Sequence, residues 1–308
     1  MGPAAPLTYD RPMSERKPEA EPEPPSEHTP DDRGPGAGQG RAPGTVHAAG
    51  QSGGVREVKS AARAVELLEV LAARGDRPAR LRELAEELGV PRSSMYALLQ
   101  TLIDRGWVRT DVTGSLYGIG IRALLTGTSY LDTDPRVRAA RPHLDEASQA
   151  LGETIHLGRL DGFDVAYLAT RESHEYLRTL SRVGRRLPAH AGALGKALLA
   201  DRPDEALPPG PLEALTARTH TDPAGLAADL AGVREAGYAV DREEGVTGIA
   251  GFGFALRYDR PALDAISCSV PVARLTAAHE RQIIGVMRET RERIEAESGR
   301  VEGGADWR

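Results

Sequence analysis

Two groups of polar side chains in this sequence have types and spacings suited to molecular recognition. The first lies between Pro91 and Gly106, where hydrogen-bonding residues alternate with leucines. Such side chains can exchange hydrogen bonds with the edges of nucleobases. The second includes Ser267 and Ser269, which share one face of an extended segment while Cys268 faces the other way. Both hydroxyls could point at one ligand, or they could be the serines of an edge strand.

The first group belongs to a segment whose apolar residues predict a helix. Met95, Leu98, Leu99 and Leu102 recur at the spacing of one helical face, and Pro91 is suited to the first turn. A surface helix selected only for solubility would carry more Glu and Lys than the opposite face does. We therefore interpret that face as one that reads bases in a DNA major groove. Its residues are Arg92, Ser93, Ser94, Tyr96, Ala97, Gln100 and Thr101.

Two shorter helices precede this one, and a hairpin follows it. The first has Ser60 as a candidate cap and Gly75 as a stop, and the second covers residues 81–88. The hairpin turns at Thr113 and Gly114, which join the predicted DNA contacts. Its strands are expected at Trp107–Thr110 and Ser115–Ile119. Three helices followed by a hairpin predict a winged helix-turn-helix over residues 55–118.

A protein-docking function remains an alternative for this unit. Residues 55–120 contain ten basic and nine acidic side chains, so the sequence reveals no strong cationic surface for phosphates. Arg63, Arg92, Arg105 and Arg109 would be the phosphate contacts if the fold gathers them.

The second half alternates helices and strands in a pattern typical of an α+β fold. We expect a connecting helix at 119–133, a hairpin around Asp161 and Gly162, and an antiparallel sheet covered by helices, within a domain at 134–300. Further strands are predicted at 176–183, 238–241, 249–256 and 265–270, and helices at 226–235 and 276–297. One helical face should be buried through Val137, Ala140, Leu144, Ala147 and Leu151.

Small residues begin another predicted helix, at Ala191–Ala193. Exposed backbone N–H groups there would favour a carboxylate or phosphate, although small residues also permit close helix packing. Gly195 and Lys196 do not form a nucleotide-binding loop, because His190 and Ala197 replace the Gly and the Ser or Thr that it requires.

Catalytic and metal-binding patterns are weak. Asp241, Glu243 and Glu244 could form a metal or acid–base cluster, but such an acidic run is more often a solvated turn. The eight histidines show no metal-ligand spacing, and Cys268 is the single cysteine. We therefore expect a protein that is not an enzyme and that carries no metal or cofactor.

Composition sets the remaining expectations. Residues 1–54 contain ten of the 22 prolines and predict a disordered tail, in which residues 19–27 could alternatively be a docking peptide, and 301–308 form a second tail. The single cysteine and the lack of a long apolar run indicate a cytoplasmic protein without a membrane anchor.

Taken in order, several segments resemble the isocitrate lyase regulator (IclR) type of bacterial transcriptional regulator over about Val58 to Gly299. They are SAARAVELLEVLA, LRELAEELGVPRSSMYALLQTLIDRGWV, LGETIHLGRLDGFDVAYLA, GRRLPAHAGALGKALLA and AGYAVDREEGVTGIA. The resemblance implies a winged helix, a connecting helix and an α/β GAF-like effector-binding domain, assembled as homodimers or homotetramers on operator DNA. It departs at Tyr96 and Ala97, where the family usually has His and Arg.

The resemblance also implies a cavity for a small-molecule effector, which we expect to be a small organic acid, in a protein that acts as a repressor. With Ala193 added from its place at the helix start, the predicted lining is Ala191, Gly192, Ala193, Asp241, Gly248, Ile249, Ser267 and Ser269. The family's common Thr, Cys and Pro are replaced here by Gly192, Gly248 and Phe252, and the two glycines should widen the cavity.

Overall fold

The computed structural model describes residues 57–175 and 183–298. Its first part consists of helices and short strands that build a three-helix unit with a hairpin. The bounds are α1 Lys59–Ala73, β1 Ala79–Arg80, α2 Leu81–Glu87, α3 Arg92–Asp104, β2 Val108–Thr110, β3 Leu116–Ile119 and α4 Ile121–Thr133.

The apolar spacing that predicted the first three helices is buried as expected. Leu67, Leu84, Met95 and Leu99 have no exposed surface, and they pack in one cluster with Tyr117 of β3. Burial of each such side chain stabilises the fold by about 1.5–3 kcal/mol. This packing fixes which side of α3 remains outside.

The expected start of α1 is wrong. Ser60 lies inside the helix, and the N-cap residue is Val58, whose side chain makes no capping bond. A different device starts α2, where the backbone N–H of Arg80 donates to the Glu83 carboxylate at 3.1 Å. That bond satisfies one of the N–H groups that a helix start leaves without a partner.

The hairpin has a third strand that the sequence analysis missed. β1 pairs antiparallel with β3, with Ala79 opposite Tyr117, and β2 pairs with the other edge of β3. A two-residue strand has too few positions for an alternating pattern to be visible. The added strand ties the hairpin to α2, because α2 begins directly after β1.

The remaining elements form an antiparallel sheet between helices, which confirms the α+β class. The sheet order is β6-β5-β4-β9-β8-β7, and every neighbouring pair is antiparallel. The bounds are α5 Pro135–Leu151, β4 Thr154–Asp161, β5 Asp164–Arg171, β6 Arg186–Pro188, α6 Ala193–Ala200, α7 Pro223–Ala236, β7 Ala239–Arg242, β8 Ile249–Leu256, β9 Asp264–Pro271 and α8 Ala277–Ser298.

Each face of this sheet has its own core. On one face α5 packs over β4 and β5 and α8 packs over β8 and β9, and the five apolar residues predicted for α5 are all buried there. On the other face α6 and α7 form a second cluster that includes Leu198, Leu226 and Leu230. The alternation along β9 follows from this arrangement, because Cys268 belongs to the first core while its serine neighbours face the side of α6.

Three expectations fall outside the described residues, namely the two tails and most of the extended run at 176–183. Among the helices that the structure describes, none is both long enough and apolar enough to cross a bilayer.

Candidate functional site

The outer face of α3 carries the side chains that the sequence analysis assigned to DNA. Tyr96 is 52% exposed, while Gln100 is half-buried. The hydroxyl of Thr101 donates to the carbonyl of Ala97 at 2.9 Å, so its lone pairs remain available. The exposed members are Arg92, Ser93, Ser94, Tyr96, Ala97 and Thr101. Together with Gln100 these six residues form a mainly polar surface, and its one formal charge is that of Arg92.

The turn of the hairpin is held by Asp111, a residue that the sequence analysis missed. Its carboxylate accepts bonds from the Thr113 hydroxyl at 2.6 Å and from the backbone N–H groups of Ser115 and Leu116, each at 2.9 Å. These bonds, with the one from the Thr113 hydroxyl foremost, lower the pKa of Asp111 to about 2. Gly114 has a φ of 69°, which favours glycine in this turn. These bonds therefore hold the tip of the hairpin in one conformation in the free protein.

The four arginines that the sequence predicts as phosphate contacts are all exposed in the first unit. Arg63, Arg92, Arg105 and Arg109 are exposed, and none of them forms an ion pair with another described residue. An unpaired guanidinium can bind a phosphate without breaking an existing bond.

A cavity of about 450 Å³ lies between the sheet and the N-terminal end of α6. Its size falls within the range typical of small-molecule sites. The predicted residues that line it are Ala191, Gly192, Ala193, Asp241, Ile249, Ser267 and Ser269. The geometry therefore gathers residues from β7, β8, β9 and the start of α6 around one space.

Gly248 does not line this cavity, contrary to expectation. Its φ is 83°, and its N–H donates to the Glu243 carboxylate at 2.9 Å. It bends the chain so that its neighbours Thr247 and Ile249 reach the cavity. Gly192 is different, because a Cβ built there would meet no atom within 4 Å. Only Gly192 can widen the cavity in the way that the sequence analysis expected.

Small residues serve close packing as well as the cavity. A Cβ on Gly253 would lie 2.1 Å from the carbonyl oxygen of Ala193, and a Cβ on Gly195 would lie 2.0 Å from that of Ala189. These glycines allow α6 to approach β8 and the preceding turn. Close packing is therefore confirmed at Gly195, whereas binding of a carboxylate or phosphate at Ala191–Ala193 stays a prediction.

Four polar lining residues were missed by the sequence analysis. They are His156, Tyr167, Arg185 and Thr247. His156 and Tyr167 lie on neighbouring strands, and their rings meet edge to face at 5.1 Å between centroids. A histidine in one strand and a tyrosine in the next leave no sequence pattern that marks a shared site, because only the pairing of the two strands brings them together.

The protonation states of the lining groups follow from their burial. Burial, with a smaller contribution from the Arg185 charge, lowers the pKa of His156 to about 3, so the imidazole is neutral at pH 7. Burial also raises the pKa of Tyr167 to about 12 and that of Asp241 to about 6. At pH 7 the described lining residues thus present one carboxylate, one guanidinium and several neutral hydrogen-bonding groups.

The acidic run that begins in β7 and continues past its end is not a solvated turn, because Asp241 and Glu244 are both buried. Asp241 accepts the backbone N–H of Glu244 at 2.6 Å. Glu244 in turn binds the fully buried Lys196, whose Nζ lies 2.8 and 2.7 Å from its two carboxylate oxygens and 2.9 Å from Oδ2 of Asp229. The run therefore anchors one wall of the cavity to α6 and α7.

This ion-pair cluster also contains a possible set of metal ligands. Donor atoms of His220, Asp229 and Glu244 lie within 4.8 Å of one another. The Lys196 ammonium, however, is already within hydrogen-bonding distance of both carboxylates. A second cation would have to compete with that buried charge.

Comparison with known proteins identifies the two halves. A family model described as the IclR helix-turn-helix domain matches residues 60–112, and one described as the C-terminal part of the bacterial transcriptional regulator IclR matches residues 128–296. The chain belongs to the IclR family of bacterial transcriptional regulators. The family predicted from the sequence segments is thereby confirmed.

IclR-family relatives match along most of the chain. A regulator of Paracoccus denitrificans named BhcR is 36% identical over 250 residues, covering 79% of this chain and 86% of the relative. The transcriptional repressor IclR of Escherichia coli is 32% identical over 249 residues, covering 78% and 88%. A crystal structure of an IclR homologue from Microbacterium hydrocarbonoxydans, complexed with 4-hydroxybenzoate, has a TM-score of 0.65 and 25% identity, covering 77% of this chain and 98% of that one.

Proposed function

We propose that this transcriptional regulator is a cytoplasmic repressor that binds operator DNA as a homodimer or homotetramer and releases it when a small organic acid fills the cavity. The proposed division is a winged helix at 55–118, a connecting helix at 119–133 and an effector-binding domain at 134–300. The observation that carries the proposal is the outer face of α3, which is polar, nearly uncharged and exposed.

The side chains on the surface of the winged helix support the reading of DNA bases over docking to a protein. The side chains on α3 can exchange hydrogen bonds with base edges, whereas a protein-docking surface would present a larger apolar centre. Four exposed arginines without ion pairs to the described residues support the proposal, because guanidinium groups of this kind can contact the DNA backbone while α3 reads the bases. Two such helices in a dimer would read half-sites about 10 bp apart or a multiple of that spacing.

The groups around the cavity support an organic acid as the effector. The start of α6 offers backbone N–H groups and the positive end of a helix dipole, and Arg185 adds a full positive charge. Ser267 is 3% exposed, and its hydroxyl has no bonding partner among the described residues. A carboxylate with a further hydroxyl or carbonyl oxygen would satisfy these donors. The 4-hydroxybenzoate held by a similar structure is one such compound.

A ligand can act as a switch only if it binds the two states of the protein with different affinity. The proposed states differ in how the two reading helices are spaced in the assembly. The effector favours the spacing that fails to match the operator.

Selection of bound sequences from random DNA by the full chain tests the DNA-binding part. The proposal expects a recurrent two-fold symmetric site and a linear fall of log affinity with log salt concentration. A screen of organic acids for release of that site then tests the effector part. Failure to enrich any sequence would contradict the DNA-binding proposal, and release by neutral or cationic compounds alone would contradict the choice of effector class.

A further inference from the structure

One guanidinium connects the sheet to the end of the connecting helix. Arg159 of β4 binds Asp264 of β9 at two points, with Nε 2.6 Å from Oδ1 and Nη2 2.7 Å from Oδ2. Its third nitrogen, Nη1, lies 2.7 Å from the hydroxyl of Tyr130 in α4 and 2.6 Å from Oδ2 of Asp134. Bidentate pairs of this kind fix direction as well as distance.

Asp134 occupies the point where α4 ends and α5 begins. It is the single residue between the two helices, and its backbone is extended, with a φ of −70° and a ψ of 114°. Its other oxygen, Oδ1, accepts the backbone N–H groups of Arg136 and Val137 at 2.9 and 3.1 Å. One carboxylate therefore caps α5 and receives the guanidinium of Arg159, so the bend between the helices is tied to the sheet.

Among the described residues, the other side-chain contacts of α4 are few and include one ion pair of Asp132 with Arg141 of α5 at 3.8 Å. The helix has no buried residue, although Leu131 packs in part against the core of the sheet. Ile121, Leu124 and Leu125 are all more than half exposed. The orientation of α4 therefore depends on the polar contacts at its C-terminal end.

The strands that carry Arg159 and Asp264 also line the cavity. These two residues are directly paired between β4 and β9, and three positions away His156 is paired with Ser267. Both His156 and Ser267 line the cavity. Three residues of a strand span about 10 Å. Paired antiparallel strands move together because backbone hydrogen bonds connect them at alternate residue pairs.

We propose that Arg159 is a positioning residue that couples occupancy of the cavity to the orientation of α4. A ligand that changes the spacing of β4 and β9 at the His156–Ser267 pair moves the Arg159–Asp264 pair, and Arg159 passes that movement to Tyr130 and Asp134. Because α4 directly follows the winged helix in the chain, its orientation determines where the reading helix points. This inference rests on the proposed function, which places the effector in the same cavity.

A built-in occupant tests the coupling without an identified ligand. Gly192→Leu places a side chain in the cavity, since the backbone at Gly192 is extended and a Cβ there meets no atom within 4 Å. The second change is the double substitution Tyr130→Phe/Asp134→Ser, here called the uncoupling variant. It removes both partners of Nη1 in α4 and at the bend, while Ser can still cap α5 and the Arg159–Asp264 pair is retained. The full chain is made as wild type, each variant and their combination.

The first readout is amide hydrogen exchange of residues 126–133, which requires no DNA. In the otherwise wild-type chain, we expect Gly192→Leu to change the exchange rate of these amides by about tenfold, which is a typical size for coupling between two sites. In the uncoupling variant, we expect Gly192→Leu to change the rate by less than about threefold. An equal change in both chains, or no change in either, would overturn the proposal.

Two matched proteins separate coupling from a general loss of stability. Arg171→Met removes a similar ion pair between the sheet and α5, the pair with Asp145, away from the cavity and from α4. It should leave the effect of Gly192→Leu on residues 126–133 unchanged. Arg159→Lys keeps the positive charge but loses the forked geometry of the guanidinium. In this variant the effect of Gly192→Leu on exchange should be smaller than in wild type and larger than in the uncoupling variant. A wild-type response from Arg159→Lys would contradict a role for the fork.

Operator affinity is the second readout. If the exchange results hold while none of the four proteins selects a DNA sequence, the proposed function fails and the coupling stands. If DNA is bound and Gly192→Leu shifts operator affinity equally with and without the uncoupling substitutions, the coupling fails and the proposed function stands.

Discussion

The Nζ of Lys196 lies 2.7 Å from Oε2 of Glu244 in a site where Lys196 has no exposed surface. Charges buried in this way persist only when they are paired, because each one has lost its hydration. The pair joins α6 to the segment after β7, and both of these line the cavity.

Removal of one partner should therefore destabilise the fold strongly. Lys196→Met leaves Glu244 and Asp229 without their cation, and we expect it to lower the free energy of unfolding by about 3–5 kcal/mol. Urea denaturation of the full chain measures this. Arg186→Met is the matched control, because Arg186 is half exposed and its pairs with Asp161 and Asp164 lie at the surface. Similar losses in the two variants would contradict a special role for the buried pair.

Gln100 should contribute to operator recognition. Its amide can form two hydrogen bonds with adenine, so Gln100→Ala is expected to weaken operator binding by about 1–3 kcal/mol while ligand affinity in the cavity stays intact. Fluorescence anisotropy with the selected operator measures the change. Gln149→Ala, an exposed substitution in α5, is the control. Equal operator affinity in Gln100→Ala and wild type would remove Gln100 from the reading face.

Ser269 should contribute to binding of the ligand in the cavity and not to operator recognition. Loss of one hydrogen bond between protein and ligand costs about 0.5–1.5 kcal/mol, so Ser269→Ala is expected to weaken binding of the acid found in the screen by up to about tenfold. Operator affinity without ligand should be unchanged. Isothermal titration calorimetry measures ligand affinity, with Ser60→Ala in α1 as the control. Unchanged ligand affinity would contradict the placement of the ligand at β9.

Asp241 should make stability depend on pH in a defined window. Burial raises its pKa from 3.8 to about 6, so between these values the native state holds the proton more tightly than the unfolded chain does. Stability should therefore fall as the pH rises from 3.8 to 6 and then level off, with a total loss of about 3 kcal/mol at 1.36 kcal/mol per pKa unit.

Asp241→Asn removes the titrating group and is the test of that assignment. Urea denaturation at several pH values should show a smaller loss of stability across this window in the variant than in wild type. Identical pH profiles for the two proteins would show that another group is responsible. Glu235→Gln, in the last turn of α7, changes an exposed carboxylate and is the control.

The elements with long apolar repeats were predictable from the sequence, because periodic burial leaves a local pattern. The stripe of α3 and the buried face of α5 were placed correctly, and β8 was predicted with its observed bounds, Ile249–Leu256. The two-residue β1 and the cap of α1 were not, since two residues carry no period and a cap depends on the geometry of a single bond.

The sequence by itself determined the family, the fold class and the face of α3 that must remain outside, since each can be read from motifs and apolar repeats that are local, taken in their order along the chain. Tertiary structure alone decided which polar groups share the cavity, because His156 and Arg185 reach it only through strand pairing. It also decided that Asp241 and Glu244 are buried and that Arg159 connects β4 to the end of α4. Lys196 binds Glu244 48 positions later, and Arg159 binds Tyr130 29 positions earlier and Asp264 105 positions later. No local pattern records partners at such distances.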